Sequence, residues 1–582
     1  MKIISIYIFF LCCLSILISC TKSNKNFNVS DYGAIGDGLT DDGPAIRKTI
    51  EAAVFNGLGS RVIFEKKSYR LGKFENPYQI VLKGVSGITI DGNGAEIINN
   101  PYNAIIDIDS CENINVRGFT FDCFPLPFTQ GNIIKVEPER GLFYLKIHEG
   151  YENPVKVYKD LGKKPDWGWD VCMDPVERKR KPEAIDHFFI KEVTEVNAED
   201  NVMKVVLTKA YQKYAKELSI GDRFVITLKY GTCASNIRVS KSKDVHLEDY
   251  TFYTAKYGMT HSFSENIGRI YVKGVNISFR PGTDRLITTP RDGFHCKHNV
   301  IGPIIEDGFY EGMLDDAINI SVCPYWVKED LGDNRYLIAD SGFSPHKGDS
   351  IIAYTPKSGL VTKNLKILNI ELQPTPAGQQ GVWNIITLDK SIPEVALHQG
   401  NNLFPGGDDK LAFTGLYNVS ESCKDYIIRN NIFREQRRHG VLARSSGGLI
   451  EGNSFIGVGG CGIYLGNEIG NFFEGPFPAN ITIRNNRFIN TFLTSIIVST
   501  KGNNVWAKNI NITDNFFSGW YTDPRNNGPA AAIQLDNVEG GIVSGNIFES
   551  GKADSLESFP IILKHSINLK VERNKMKCNI KD

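Results

Sequence analysis

From Ile427 onward one phrase recurs. IIRNNIF ends at Phe433, LIEGNSF at Phe455, ITIRNNRF at Phe488, INITDNFF at Phe517, GIVSGNIF at Phe548 and LKVERNKM at Met576. The asparagines they share are Asn431, Asn453, Asn486, Asn515, Asn546 and Asn574, so the period is roughly two to three dozen residues, the length of one stacked unit in a solenoid. Each unit is β-branched, rich in Asn and punctuated by Gly, with no helical periodicity, so the units are short strands. Such strands bury an apolar face by coiling into a parallel β-helix, in which the Asn of one coil bonds the Asn of the next. Earlier copies are GITIDGNGAEI at 87–97, NINVRGFTFD at 113–122, DVHLEDYTFY at 244–253 and IYVKGVNISF at 270–279. The expected fold is all-β, a right-handed parallel β-helix running nearly end to end.

Two gaps interrupt the phrase, about Gly131 to Ser240 and about Cys323 to Ser420. They hold alternating segments such as LFYLKIHEG, NVMKVVLTKA, DSIIAYTP and WNIITLDK, which read as antiparallel hairpins. The expected organisation is a β-helix start with a capping helix at 27–130, an inserted small antiparallel β-barrel at 131–240, helix coils at 241–322, a second inserted barrel at 323–420 and the closing coils at 421–582. Lys plus Arg equals Asp plus Glu, 66 each. Without a basic field, nucleic acid is not an expected partner.

The N-terminus has one Lys, an apolar run and then Leu17-Ile18-Ser19-Cys20. It resembles a bacterial lipoprotein signal: residues 1–19 are expected to be removed, Cys20 to be lipidated and 20–26 to form a tether. The implied location is a bacterial envelope membrane, held through the lipid alone. The other cysteines, from Cys111 to Cys578, have neither metal-ligand spacing nor a disulfide pattern.

The chemistry is sought on one strand position. RDGFHCK (291–297), DDAINIS (315–321), HGVLARS (439–445), CGIYLGN (461–467) and TSIIVST (494–500) align with small residues at Gly293, Ala317, Gly440, Gly462 and Ser495. Apolar residues follow at Phe294, Ile318, Val441, Ile463 and Ile496. In this register Asp292 and Asp316 lie on successive coils, about 4.8 Å apart, with His439 next and Asp315 beside them. Adjacent acids in a strand are costly unless used. The same alternation turns His295, Asn319 and Arg444 outward near them. No cofactor and no metal site is expected; Asp37, Asp41 and Asp42 read as turn and cap residues.

The segment FNVSDYGAIGDGLTDDGPAIRKTIEAAVFNG (27–57) resembles the start of pectin-lyase-like β-helix proteins, with Thr40-Asp41 and Pro44 opening the capping helix. Asp292-Gly293, Asp315-Asp316 and His439-Gly440 resemble the successive acid, double-acid and histidine coils of polygalacturonases, glycoside hydrolase family 28. Where those enzymes carry Arg-Ile-Lys for a uronate, this chain has Tyr464-Leu465-Gly466, which implies a neutral sugar. The cap, residues 291–320 and the two insertions resemble glycoside hydrolase family 110. That resemblance implies an exo-α-1,3-galactosidase acting with inversion on galactose-terminated oligosaccharides such as blood group B glycans. By analogy Asp315 is the general acid, and Asp292 with Asp316 holds the water; His295, Asn319, His439 and Arg444 contact substrate. A pectin-type lyase or a non-catalytic glycan-binding solenoid are the alternatives on the same fold.

Overall fold

In the computed structural model, which describes residues 25–525, 530–549 and 558–577, the chain winds into the expected β-helix. One parallel ladder has 11 strands, from Tyr78–Lys83 through Phe294–Lys297, Ile318–Ser321, Val441–Ala443 and Ile463–Leu465 to Ser558–Lys564. The remaining helix strands form a 24-stranded system, continuous because Ser86–Asn99 and Glu112–Cys123 bend across two faces with a register shift at the bend. Between the ladders lies a single apolar core. In the C-terminal coils Phe433, Phe455, Phe488, Phe517 and Phe548 stack one above another at 4.8 to 5.0 Å. A fully buried side chain of this kind contributes about 1.5–3 kcal/mol.

The recurrent Asn forms the expected ladder. Asn453 Oδ1 accepts from the backbone N–H of Asn431 at 2.9 Å and from its amide at 3.1 Å. The pattern repeats through Asn486, Asn515, Asn546 and Asn574. An amide suits this column because it carries two donors and an acceptor, so each buried side chain is satisfied above and below.

The N-terminal cap is an α-helix, Gly43–Asn56, with Pro44 in its first turn. Asp41 Oδ1 accepts the N–H of Gly43, the first residue of the helix, at 3.0 Å, whereas the Thr40 hydroxyl donates to Asp37 at 2.8 Å instead of capping it. Asp42 sits at the cap position but turns its carboxylate to accept the N–H groups of Ile35 at 2.6 Å and Gly36 at 3.0 Å. These acids close a turn, as expected.

The insertions differ from each other. Residues 325–418 form a closed six-stranded antiparallel barrel around Tyr325, Ile338, Ile351, Ile386 and Leu416. The first insertion, expected to be a barrel as well, is an open antiparallel sheet with Val171–Met173 and Ile190–Asn197 at its ends. The two ends meet only at a single bridge, where Asp170 and Phe188 exchange backbone hydrogen bonds at 3.2 and 2.7 Å, and not along a continuous ladder. It starts at Phe128, and the expected boundary at 240 runs too far: Ile237–Ser240 already belongs to the helix, pairing with Ile106–Asp109.

Both insertions leave and re-enter between neighbouring rungs. Ile318–Ile320 therefore pairs directly with Val441–Ala443 across 123 residues of sequence. All eight cysteines among the described residues are free. No helix among the described residues is long and apolar enough to cross a membrane, and Cys20 with its surrounding segment lies outside the described residues.

Candidate active site

The acid wall is built by register. Phe294, Ile318, Val441, Ile463 and Ile496 pair in succession, and the ladder continues one step earlier: the N–H of Gly293 donates to the Asp316 carbonyl at 3.0 Å, and that of Ala317 to the His439 carbonyl at 2.9 Å. The small residues are required here. A Cβ on Gly293 would come within 2.6 Å of the Ala317 carbonyl oxygen, and one on Gly440 within 2.6 Å of the Gly462 carbonyl oxygen.

Asp292, Asp315 and Asp316 converge, each with a carboxylate oxygen within 4.8 Å of the others. They are more enclosed than strand-edge acids: their exposures are 4, 7 and 6%. Burial, followed by the charges of Asp315 and Asp316, pushes Asp292 well above the usual carboxylate range. Burial and the charge of Asp315 push Asp316 up to about 7. The cluster thus retains a proton near neutral pH, as mutually repelling carboxylates must.

His439 is locked beneath the trio. Its backbone N–H donates to Asp316 Oδ1 at 3.0 Å, and its Nδ1 accepts the N–H of Cys461 at 3.0 Å. With Nδ1 an acceptor, the ring proton is on Nε2. Burial and the nearby arginines hold this imidazole neutral, far below its ordinary pKa. His295 lies 4.0 Å from Asp292 through Nε2, and burial followed by the charge of Lys297 lowers it to about 3.

His295 and Asn319 are direct register partners, with Leu442 and Tyr464 next in the same row. Arg444 lies two residues beyond Leu442, in the column of Lys297 and Ser321, and is joined to a residue that the repeat pattern did not reveal. Its Nη1 is 3.0 Å from Glu474 Oε2, while Lys297 Nζ is 2.9 Å from Glu474 Oε1. Burial opposes ionisation of Glu474, but Lys297 and Arg444 together outweigh it and lower the group to about 2. Among the described residues Arg444 Nε has no hydrogen-bond partner, and Nη1 meets Glu474 as an ion pair without hydrogen-bond geometry.

Three further residues come from outside the aligned strands. Arg437 Nη2 donates to Asp315 Oδ1 at 3.3 Å, and its Nη1 donates to Asp186 Oδ2 at 2.8 Å. Its guanidinium lies 4.7 Å from the ring centre of Trp169. Asp186 and Trp169 are contributed by the first insertion. Two arginines immediately before His439, in the run EQRRHG, were a usable signal for Arg437. Trp169, Asp186 and Glu474 sit on irregular segments with no repeat position, and nothing local marks them.

The arrangement offers a shared proton, water-binding carboxylates, neutral imidazoles and fixed cations on one enclosed patch. The electrostatics do not single out Asp315 as the proton carrier, because the groups pushed upward are Asp292 and Asp316 while the cation contacts Asp315.

Comparison with known proteins gives the same fold and an enzyme kinship. A family model described as a right handed beta helix region matches residues 415–581. The chain is 25% identical over 511 residues to "Alpha-1,3-galactosidase A" of Bacteroides thetaiotaomicron, covering 84% of this chain and 82% of that protein. It is 24% identical over 525 residues to "Alpha-1,3-galactosidase B" of the same organism, covering 82% of this chain and 78% of the relative. Among solved structures, a family 28 exopolygalacturonase of Yersinia enterocolitica aligns at 13% identity with a TM-score of 0.41, covering 95% of this chain and 79% of the other. The resemblance to the galactosidases is thus borne out over most of the chain.

Proposed function

We propose that this relative of the α-1,3-galactosidases is a glycoside hydrolase that releases terminal galactose from α-1,3-linked glycans, blood group B structures and linear α-1,3-galactosyl chains among them. The observation that carries the reading is the convergence of Asp292, Asp315 and Asp316 within 4.8 Å on the wall that the register builds. A neutral substrate fits the coil that would hold a uronate, where Tyr464 stands in the row of His295 and Asn319. His295, Asn319, His439 and Arg444 bond its hydroxyls, with Glu474 holding Arg444 in place.

In the direct displacement, an ionised carboxylate of the trio takes a proton from the water it holds as that water attacks the anomeric carbon, while the carboxyl that carries the cluster's proton gives it to the departing oxygen. The family analogy assigns this donor role to Asp315, and the burial of Asp292 favours Asp292. The sugar is released with inverted configuration. The short carboxylate spacing favours a second reading. Inverting pairs stand roughly 6.5–9.5 Å apart and retaining pairs about 5–5.5 Å, so one acid of this close trio can instead attack the anomeric carbon. The first anomer of galactose seen by NMR separates the two: β for inversion, α for retention.

The test of the whole reading is hydrolysis of nitrophenyl α-galactoside and α-1,3-galactosyl oligosaccharides, unaffected by chelator. Preference for polygalacturonate, or activity lost to chelator and restored by calcium, would overturn it. The protein acts from a bacterial envelope membrane, anchored through Cys20; a Cys20→Ser variant that still takes up labelled palmitate would refute the anchor.

A further inference from the structure

The first insertion reaches the acid trio through one side chain. Arg437 is 2% exposed, and its guanidinium is held on three sides. Nε donates to the Leu314 carbonyl at 2.5 Å, Nη1 to Asp186 at 2.8 Å and Nη2 to Asp315 at 3.3 Å. Asp186 is itself fixed from within the insertion: His187 Nδ1 lies 2.7 Å from its Oδ1, and His187 Nε2 lies 2.8 Å from the Tyr211 hydroxyl. The His187 ring stacks on Trp169 at 5.4 Å, and Trp169 is the ring on which Arg437 rests. A chain of contacts therefore runs from Tyr211 through His187, Asp186 and Arg437 to Asp315.

We propose that Asp186 and Arg437 are positioning residues that set the working pH of the catalytic trio, with Arg437 supplying a positive charge against Asp315 and Asp186 offsetting part of that charge. The proposal rests on the trio being the catalytic site. Arg437 also faces Asp316 and Arg438. Asp186 accepts from Arg438 Nη1 too, at 3.2 Å, so its removal frees both cations toward the trio. The trio faces Arg291, Arg438, Arg444 and the anion Glu474 as well. Those charges remain in every variant below, and the release of Arg438 in Asp186→Asn acts in the same direction as that of Arg437.

The physical consequence is directional. A cation beside a carboxylate favours its ionised form and lowers its pKa by 1–3 units. Removing the cation raises the titration of the trio, whereas removing the anion that partly neutralises it lowers that titration. Both limbs of the profile of kcat/KM against pH report the free enzyme's acid and base. Arg437→Gln should therefore move the profile upward by about one pH unit or more. Asp186→Asn should move it downward, by a smaller amount. Arg437→Lys keeps the charge and should leave the profile near that of the wild type, although kcat falls because an ammonium cannot bridge both carboxylates as a guanidinium does.

The experiment is the pH profile of wild type and the three variants on a nitrophenyl α-galactoside, with circular dichroism confirming the fold. Opposite shifts for Arg437→Gln and Asp186→Asn support the proposal, since loss of packing alone would not reverse sign. Shifts in one direction, or folded variants with an unmoved profile, overturn it. If Arg437→Gln fails to fold, the direction of the Asp186→Asn shift decides. A wild type without galactosidase activity would refute the catalytic reading instead, a result separate from any failure of the link.

Discussion

Two columns of polar side chains run through the coils of this protein, and they differ in kind. The asparagine column is buried from Asn431 to Asn546 and half-buried at Asn574, and each amide both donates to and accepts from its neighbours. The acid column places Asp292, Asp316 and His439 at successive rungs with the same regularity, but carboxylates only accept. While ionised they cannot satisfy one another, so they draw bonds from outside the column: the His439 backbone N–H to Asp316, and the Arg437 guanidinium to Asp315 beside them. A stacked amide lowers the energy of the fold, while a stacked acid raises it and leaves a proton to be used.

The contrast is broken most severely at the acids. Replacing Asp292, Asp315 or Asp316 by Asn should lower kcat by a factor on the order of 10² or more, with melting temperature unchanged or raised because like charges have been removed. Asp315→Asn should spare nitrophenyl galactosides relative to natural glycans, which need protonation of the leaving oxygen. If Asp292→Asn shows that selectivity instead, Asp292 is the acid.

Glu474→Gln comes next. It leaves Lys297 and Arg444 buried without their counter-ion, a loss of about 3–5 kcal/mol for a broken buried pair. A drop in melting temperature together with a raised KM for glycans is the expected result of calorimetry and kinetics.

In the other column Asn486→Ala should do the reverse of the acid substitutions. It strands the Asn453 backbone N–H and the Ile450 carbonyl, a cost of about 1–3 kcal/mol for each unsatisfied group. The melting temperature should fall while kcat stays near that of the wild type.

The most gradual effect, spread over several pH units, is on the pH dependence of stability. The pKa of Asp316 is raised in the folded state to about 7 from 3.8. Between those values the folded state binds a proton that the unfolded chain has released, so this group makes stability fall as pH rises through the window, with a slope of at most about 1.4 kcal/mol per pH unit. Denaturation curves from pH 4 to 7 should show a shallower fall in Asp316→Asn than in the wild type.

Much of the wall was legible in the sequence because a β-helix converts sequence period into spatial register. Asn431 and Asn453 are one rung apart in both senses, and the shared small and apolar residues identified Phe294, Ile318 and Val441 as neighbours although 123 residues separate the last two. The open form of the first insertion was not legible, since alternation specifies paired strands but not whether the last pairs with the first. The near-complete burial of the acids was not legible for a related reason: their rung is an open wall until the insertions and the loop carrying Glu474 enclose it.

The sequence by itself determined the repeat, its register and the meeting of Asp292, Asp316 and His439, because these follow from a period and a hydrophobic pattern that stacking must obey. Tertiary structure alone decided what charges those acids meet. Asp186 and Trp169 arrive from the first insertion, Glu474 from an irregular loop, and Arg437 joins one of them to Asp315. None of these positions has a period, and a charge acts through space at a distance set by folding, not by its place in the chain.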